Sequence, residues 1–538
     1  MRRRNPFLTT RSAMPAAKIL AWVLLLLLGS SRAWAQHEAD NWYFNERAGF
    51  TFRAGAPQVL LDGQMTAFDA STVLSDPATG QLRLYSDGGR VWGRDHRVMP
   101  NGSGLWGSLF PDAPTPSPSY ATQGALLVPV PGDAAGYYLF TLRAGKGIPP
   151  STVPAATYAS SLAYSQVDMR RNNGLGDVVP ETKNRRLATG LTEKLTAVRH
   201  ANGRDYWVLC HEWLSNAFVV YPVTAAGVGP AARYAVGPVE PADTIAKSFS
   251  YFQDQVSGAM QAAPNGRKLA FGHVTSSGTR PPLGLFDFDP ATGAVSNYLS
   301  LGPLMDANSP CFSPDNTKLY VPDFRRTPNG PGRNVITQFD LQAGDGAAIA
   351  ASGQSIVAGN PATNISSTVL DEFVYLLQNG PDGRMYGASG YQGPGALPGD
   401  AANVFYVINR PNARGFACDV RAQRFDFVGR DGTGGLPNFM QHYFNGREPA
   451  PADTACDPAQ ATVFPNPATA TFRVRQPGPC ALPYALAVYD AVGRKVLGQT
   501  VADPAREAPV EVAGLAAGVY VVELRFAQRT VVKKLVKL

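Results

Sequence analysis

The chain has 538 residues, 44% of them hydrophobic and only 17% charged, with 48 Lys plus Arg against 41 Asp plus Glu. That is long enough for two or more domains and excludes a charge-rich disordered protein. The net charge of +7 divides unevenly: residues 1–35 hold six bases and no acids, residues 461–538 hold ten bases and five acids, and 32 bases against 36 acids leave the middle at −4. With no dense basic stripe in that middle, general binding to a nucleic-acid backbone is excluded.

In chain order, the start is basic through Arg2, Arg3, Arg4, Arg11 and Lys18 and continues in the apolar run 19–28. That run falls short of the roughly 20 apolar residues of a spanning helix. It ends in SSRAWA, with Ala33 and Ala35 at the small-residue positions of a cleavage site, so residues 1–35 are expected to be a secretory signal peptide. No later segment reaches the length of a membrane span, so the mature chain is expected to have none. Five cysteines, at 210, 311, 418, 456 and 480, are too sparse for a disulfide scaffold, and the odd count leaves one over. Cys210, Cys311 and Cys418 lie in apolar strand-like stretches and read as small buried hydrophobes. Pairing of Cys456 with Cys480 is left open.

Residues 36–450 read as short β-rich runs separated by Gly, Pro, Asn and Asp turns. A turn at Gly80, Gly136, Gly203, Gly266, Asn316 and Gly383 precedes alternating aromatic or aliphatic residues, with steps of 56, 67, 63, 50 and 67 residues. Each step suits one four-stranded blade, and such units are stable when arranged radially because closure protects their edges. The expected fold is all-β: a propeller of about seven four-stranded blades, followed by a small Ig-like β-sandwich. The opening NWYFNERAGFTFRAGAPQVLLDG and STVLSDPATGQLRLYSDGGRVWGRDHRVMPNGSGLWG resemble the N-terminal part of a WD40-like propeller family common in secreted proteins of the Bacteroidetes. The segment SPDNTKLYV resembles the Ser-Pro-Asp-Gly hairpin of PD40/TolB-like blades, with Asn316 in place of Gly, a change that Asn's tolerance of left-handed angles permits.

Chemistry is harder to place. The six histidines, 37, 96, 200, 211, 273 and 442, include no HxH or HExxH pair. The best catalytic candidates are His211 and Glu212 beside Cys210, joined by His273 from the following blade at the channel. No GxSxG elbow is present for a Ser hydrolase. SDGGRVW at Ser86 is similar to an Asp-box hairpin, but the order of its residues is broken. Calcium is the ion that the Asp-rich turns would suit, through Asp287, Asp289 and Asp315, although such residues also fix turns by bonding their own backbone. No other cofactor is expected. Trp92, Trp106, Trp207 and Trp213 are candidates to stack on a sugar or fill a peptide groove. The segments starting at Ser108 and Met169 are candidate recognition loops.

After a Pro-rich linker, 451–461, the end of the chain reads as alternating strands with turns at Asn466-Pro467, 490–493 and Ala517-Gly518. These blocks, PNP at Pro465, Asn466 and Pro467, VYDAVGRKV with Asp490 and Gly493, GVY with Gly518 and Tyr520, and the final KKLVKL with Lys533 and Lys534, closely resemble the type A C-terminal sorting domain of the type IX secretion system, the Por secretion domain. The resemblance implies a domain over 462–538, recognition by the type IX machinery at the outer membrane, and removal of the tail, with the body released or attached to lipopolysaccharide. The leading expectation is therefore a non-enzymatic secreted or surface-attached propeller binding protein or glycan. The alternatives are an extracellular hydrolase or lyase acting on polysaccharide or peptide at the channel, and a structural or adhesion component.

Overall fold

The computed structural model describes residues 37–67, 69–108, 117–145, 159–239, 256–272, 282–304, 309–327, 330–357, 374–389, 403–432, 434–449, 461–476, 483–501, 509–526 and 530–538. The expected signal peptide, most of the linker, His273, Cys456 and Cys480 lie outside them.

The recurring turns organise the body. A residue at positive φ closes the first hairpin of six successive blades: Gly80 (68°), Gly132 (85°), Gly203 (72°), Gly266 (72°), Asn316 (66°) and Gly383 (78°). One marker needs correction, because Gly136 lies inside the strand Asp133–Arg143 and the turn is made four residues earlier by Gly132. From these hairpins, antiparallel blades 2 to 7 follow at 72–103, 125–191, 191–235, 260–303, 311–355 and 374–424. Blades 3 and 4 share one continuous nine-stranded sheet. The 15-residue strand Arg185–Arg199 pairs through its first half with Ser160–Asp168 and through its second with Tyr206–Glu212, with a register shift between Leu191 and Leu195.

Blade 1 has three strands, Asn41–Phe44, Ala48–Thr51 and Gln58–Leu60, rather than the four expected. It joins the two ends of the body. On one side Trp42 meets Tyr386 of blade 7 at 5.8 Å, and Phe50 meets Phe405 and Phe425 at 5.3 and 4.6 Å. On the other, Tyr43 stacks on Tyr85 of blade 2 at 4.7 Å and Asn41 Nδ2 donates to Ser75 Oγ at 2.9 Å. The Glu46 N–H donates to the Asp431 carbonyl. Among the described residues the ring is thereby closed into a propeller of seven blades, whose remaining edges are short outer strands such as Gln58–Leu60. Trp42, Phe44 and Phe50 are each 0% exposed, and full burial of such a side chain stabilises by roughly 1.5–3 kcal/mol.

The innermost position beside Trp42 is taken by the end of the body. Phe439 packs on Trp42 at 6.0 Å, and the Asn438 N–H donates to the Ser71 carbonyl beside the inner strand of blade 2. Asn438 Nδ2 reaches the carbonyls of Ala125 and Leu195, on blades 3 and 4. Gln441 bonds to Gln378 and Asn379 of blade 7, and the Gly446 N–H donates to the Pro314 carbonyl of blade 6. Residues 436–446 thus form a strap along the propeller axis. Gly435 lets it enter, since a Cβ there would lie 1.9 Å from the Asp69 carbonyl oxygen.

The tail has its own core. Strands Thr462–Phe464, Thr471–Arg475 and Val510–Glu511 form one sheet; Lys495–Val501, Tyr484–Tyr489, Gly518–Phe526 and Thr530–Lys537 form the other. Their alternating apolar residues, including Phe472, Leu486, Val488, Val522, Leu524 and Leu535, meet between the sheets to make a seven-stranded sandwich.

Candidate functional site

The strand Tyr206–Glu212 carries the first sequence candidates. Successive side chains on a strand face opposite ways, and here that separates the pair. His211 is 1% exposed, with Phe218 and Phe271 each 5.0 Å from its ring. Burial, reinforced by the charge of Lys194, lowers its pKa to about 3, so it is a neutral core imidazole. Glu212 faces the other way and pairs with Arg233. Cys210, Cys311 and Cys418 are fully buried, as small hydrophobes would be; burial pushes the Cys418 thiol up to about 12.

The tryptophans also pack. Trp92 is 3% exposed and stacks on Tyr85 at 5.2 Å. Trp213 is buried against Val256. Half-buried Trp106 donates to Ser161 Oγ, with Arg143 and Arg186 over its ring at 4.9 and 4.1 Å. Half-buried Trp207 donates to the Pro290 carbonyl and stacks on His200 at 5.2 Å. The acidic turn residues are engaged as well. Asp287 accepts from Lys268 and Asn297, Asp289 from Ala291 N–H and Thr292, and Asp315 from Ser313 and Thr317. Among the described residues no group of three or more His, Cys, Asp or Glu is arranged to hold a metal ion. The Asp-box-like Asp87 accepts the N–H groups of Gly89 and Arg90, fixing its own hairpin. Of the candidate loops, part of the first (109–116) lies outside the described residues, while the second is stitched down by Arg170 to Asp133 and Asp168 and by Lys183 to the Ser103 carbonyl.

At the axis, the strap occupies the space where a channel-mouth site was expected. His442 on the strap lines a small cavity with Arg199 and 262–266. Burial and the charge of Arg199 lower its pKa to about 3.

A concave site does form where blades 1 and 2 diverge, as a groove of about 600 Å³. Register sets its wall: Asn41, Thr51 and Gln58 make one rung on blade 1, and Tyr43, Gly49 and Leu60 the next. Thr79, Gln81, Leu82, Arg94 and His96 line it from blade 2. Gly49 is required here, because a Cβ would come within 2.5 Å of the Trp42 carbonyl oxygen. Behind the wall the rings of Tyr43, Tyr85 and Trp92 stack in series, so Trp92 supports the groove without facing it.

Polar groups then form a chain along the floor. The Tyr43 hydroxyl donates to Asp62 Oδ1 at 2.9 Å; Asp62 Oδ2 lies 3.3 Å from His96 Nε2; His96 Nδ1 lies 3.3 Å from the Tyr85 oxygen. Burial first, then the Asp62 charge, raises the Tyr43 pKa well above that of a free phenol, which keeps it a donor. At the other end His37 Nδ1 lies 2.6 Å from Asp40 Oδ2. Burial raises the Asp40 pKa, and the His37 hydrogen bond opposes this only in part. The arrangement offers hydrogen-bond donors and acceptors and a histidine oriented between a carboxylate and a phenol. Neither Asp62 nor His96 stood out in the sequence, since 34 residues separate them and only the packing of two blades joins them. One local trace is His96 at φ 60°, a left-handed angle uncommon for residues other than Gly, though His is among those that adopt it more readily.

The sorting-motif residues occupy the tail's turns and edge. Asn466 donates to the Lys534 carbonyl at 2.7 Å and accepts from the Val536 N–H at 2.9 Å, between Pro465 and Pro467. Asp490 accepts from the Val492 and Arg494 N–H groups around Gly493. The Tyr520 hydroxyl donates to the Ala516 carbonyl. Gly518 pairs with Lys537, and Lys533 and Lys534 lie on the terminal strand. No helix among the described residues is long and apolar enough to cross a membrane.

Residues 462–538 match the family described as the secretion system C-terminal sorting domain. No curated protein matches the chain. Similar solved structures include a protein of Bacteroides fragilis described as a 6-phosphogluconolactonase (13% identity, 59% of this chain and 78% of that one, TM-score 0.32). A periplasmic gluconolactonase of Pseudomonas aeruginosa gives 14% identity over 81% and 94% of the two chains at a TM-score of 0.33. The β-propeller domain of the Trilobed protease of Pyrococcus furiosus gives 10% identity over 77% and 96% at 0.26. At such scores these likenesses carry no argument, and the propeller rests on the closure of its own ring. The tail implies interaction with the type IX secretion machinery. The chain is a β-propeller followed by a type IX C-terminal sorting domain, and it is a secreted or cell-surface protein.

Proposed function

We propose that the body is a binding module that takes a polar extracellular ligand, a glycan, in the groove between blades 1 and 2. The supporting observation is the groove itself: a concavity of about 600 Å³ with a supported aromatic wall and a mixed set of donors and acceptors, within the size range of small-molecule sites. The buried His211, turned away from Glu212, weighs against catalysis at that pair, and the axial strap weighs against it at the channel. On this reading the tail delivers the body to the surface and is removed, leaving it released or attached to lipopolysaccharide. The test is a glycan array probed with the full chain and with a Gln81→Trp variant, which places an indole in the groove. Binding by the parent that the variant loses supports the proposal; equal binding by both overturns it.

A second reading is favoured by the Asp62–His96–Tyr85 chain, which could orient His96 as the base of a hydrolase or lyase. His96→Asn would then abolish turnover of a bound glycan while leaving its affinity within a few fold.

A further inference from the structure

We propose that the groove's ligand is an acidic oligosaccharide whose carboxylate or sulfate groups are held by Arg53 and Arg94, an assignment that rests on the groove being the ligand seat. The groove holds two carboxylates and two guanidinium groups, and their commitments differ. Asp40 is 4% exposed and bonded to His37; Asp62 is bonded to Tyr43 and His96. Arg53 and Arg94 both line the groove and are exposed, and neither makes a hydrogen bond or ion pair with a described residue. Asp40 is thus engaged from within and Asp62 is bonded although exposed, while both guanidinium groups keep their donors free of bonds to described residues, the charge of Arg53 acting on Asp40 only through space. A guanidinium presents a planar fork of donors matched to a carboxylate or sulfate.

The rest of the lining favours a carbohydrate as the bearer of that charge. Thr51 Oγ1 is buried in the blade 1 wall without a hydrogen-bond partner. That oxygen is closed off from the groove, so the wall's available polar groups are those of its neighbours. Gln58 and Gln81 add neutral amides at the rim. Extended peptides are typically captured by unpaired backbone along a sheet edge; Gln58–Leu60, the edge strand of blade 1, borders this groove, so an acidic peptide is the rival that the titration must exclude.

The experiment is calorimetric titration of the full chain with tetragalacturonate, a chondroitin sulfate hexasaccharide, neutral cellotetraose and tetraglutamate. The variants are Arg53→Ala, Arg94→Ala, Gln81→Trp and, as a control on a neighbouring exposed residue outside the lining, Arg97→Ala. Binding of at least one acidic oligosaccharide is expected, weakened about tenfold by each groove arginine substitution, as the loss of one charge-assisted bond predicts. Gln81→Trp should abolish it and Arg97→Ala should leave it within twofold. If cellotetraose binds as tightly, Arg53→Ala and Arg94→Ala change nothing and Gln81→Trp still abolishes binding, the acidic assignment falls while the groove remains the ligand seat. If Gln81→Trp leaves binding intact, both fall. Arginine-dependent binding of tetraglutamate at equal affinity overturns the carbohydrate class, and failure of every acidic oligosaccharide to bind overturns the proposal. All four variants should keep the parent's thermal midpoint, since their side chains are exposed or at the groove rim.

Discussion

Body and tail each hold their last element in place with an asparagine, but under different conditions. Asn438 is 8% exposed and ties the strap to the carbonyls of Ala125 and Leu195, while its own N–H meets the Ser71 carbonyl. Exposed Asn466 makes the same kind of bonds to Lys534 and Val536, on the terminal strand of a local sandwich. The first closes contacts between residues 243 and 313 positions apart in the chain; the second spans 68 and 70. Buried, unpaired carbonyls lose their whole solvation, whereas exposed ones turn to water. The body therefore depends on its strap far more than the tail depends on its latch.

The largest effect expected is from Trp42→Ala, which removes the ring joining blade 1 to Tyr386 and Phe439. It should cost the body about 3–5 kcal/mol, seen as a lowered denaturation midpoint, while the tail transition stays where it was. A shared drop in both would show that the two units unfold as one. Next, Asn438→Ala should cost about 2–3 kcal/mol by stranding two buried carbonyls; a loss below about 1 kcal/mol would mean that water replaces the amide on the axis. For Asn466→Ala the expected loss is about 1 kcal/mol, confined to the tail, with less protein reaching the culture medium. Unchanged export would separate the latch from the sorting signal.

The gentlest way to separate the two regions is acid. His211 and His442 have pKa values lowered from 6.5 to about 3, mainly by burial. Below about 6.5 the unfolded chain takes up protons that these folded sites resist, so the stability they contribute falls as pH drops toward about 3. This is opposed at the acid end by the carboxyls of Glu38, Asp87, Glu193 and Asp382, whose pKa values burial raises, so that they favour the folded state on protonation. The tail contains no histidine and should hold steady until its carboxylates titrate. Calorimetry across this range should show the body's midpoint falling first, and His442→Gln should flatten part of the slope. An unchanged slope in that variant would remove the strap histidine from the account.

Much of the fold was legible because it is local. A turn residue at positive φ, Gly or Asn, must recur wherever a short inner strand doubles back, and blades 2 to 7 each display one. The displaced marker at Gly136 shows the limit: Pro131-Gly132 makes the turn, while the aromatic run that follows Gly136 lies within the strand Asp133–Arg143. Blade 1 makes its first turn with Asn45 and Arg47, at φ 45° and 58°, and has no glycine there to mark it. The strap was not legible either. Its residues PNFMQHYF follow no strand or helix period, as their partners lie on different blades. His211 and Trp92 were visible as residue types, but which blade covers them is not written in their neighbours.

Sequence alone therefore determined the repeating hairpins, the sparse and buried thiols and the sorting tail, since turn angles, alternation and contiguous motifs act over a few residues. Only the tertiary structure decided that residues 436–446 fill the axis, that His211 is core, and that Asp62 and His96 meet in a groove. Those outcomes depend on ring closure, which brings distant segments together through burial that no local pattern encodes.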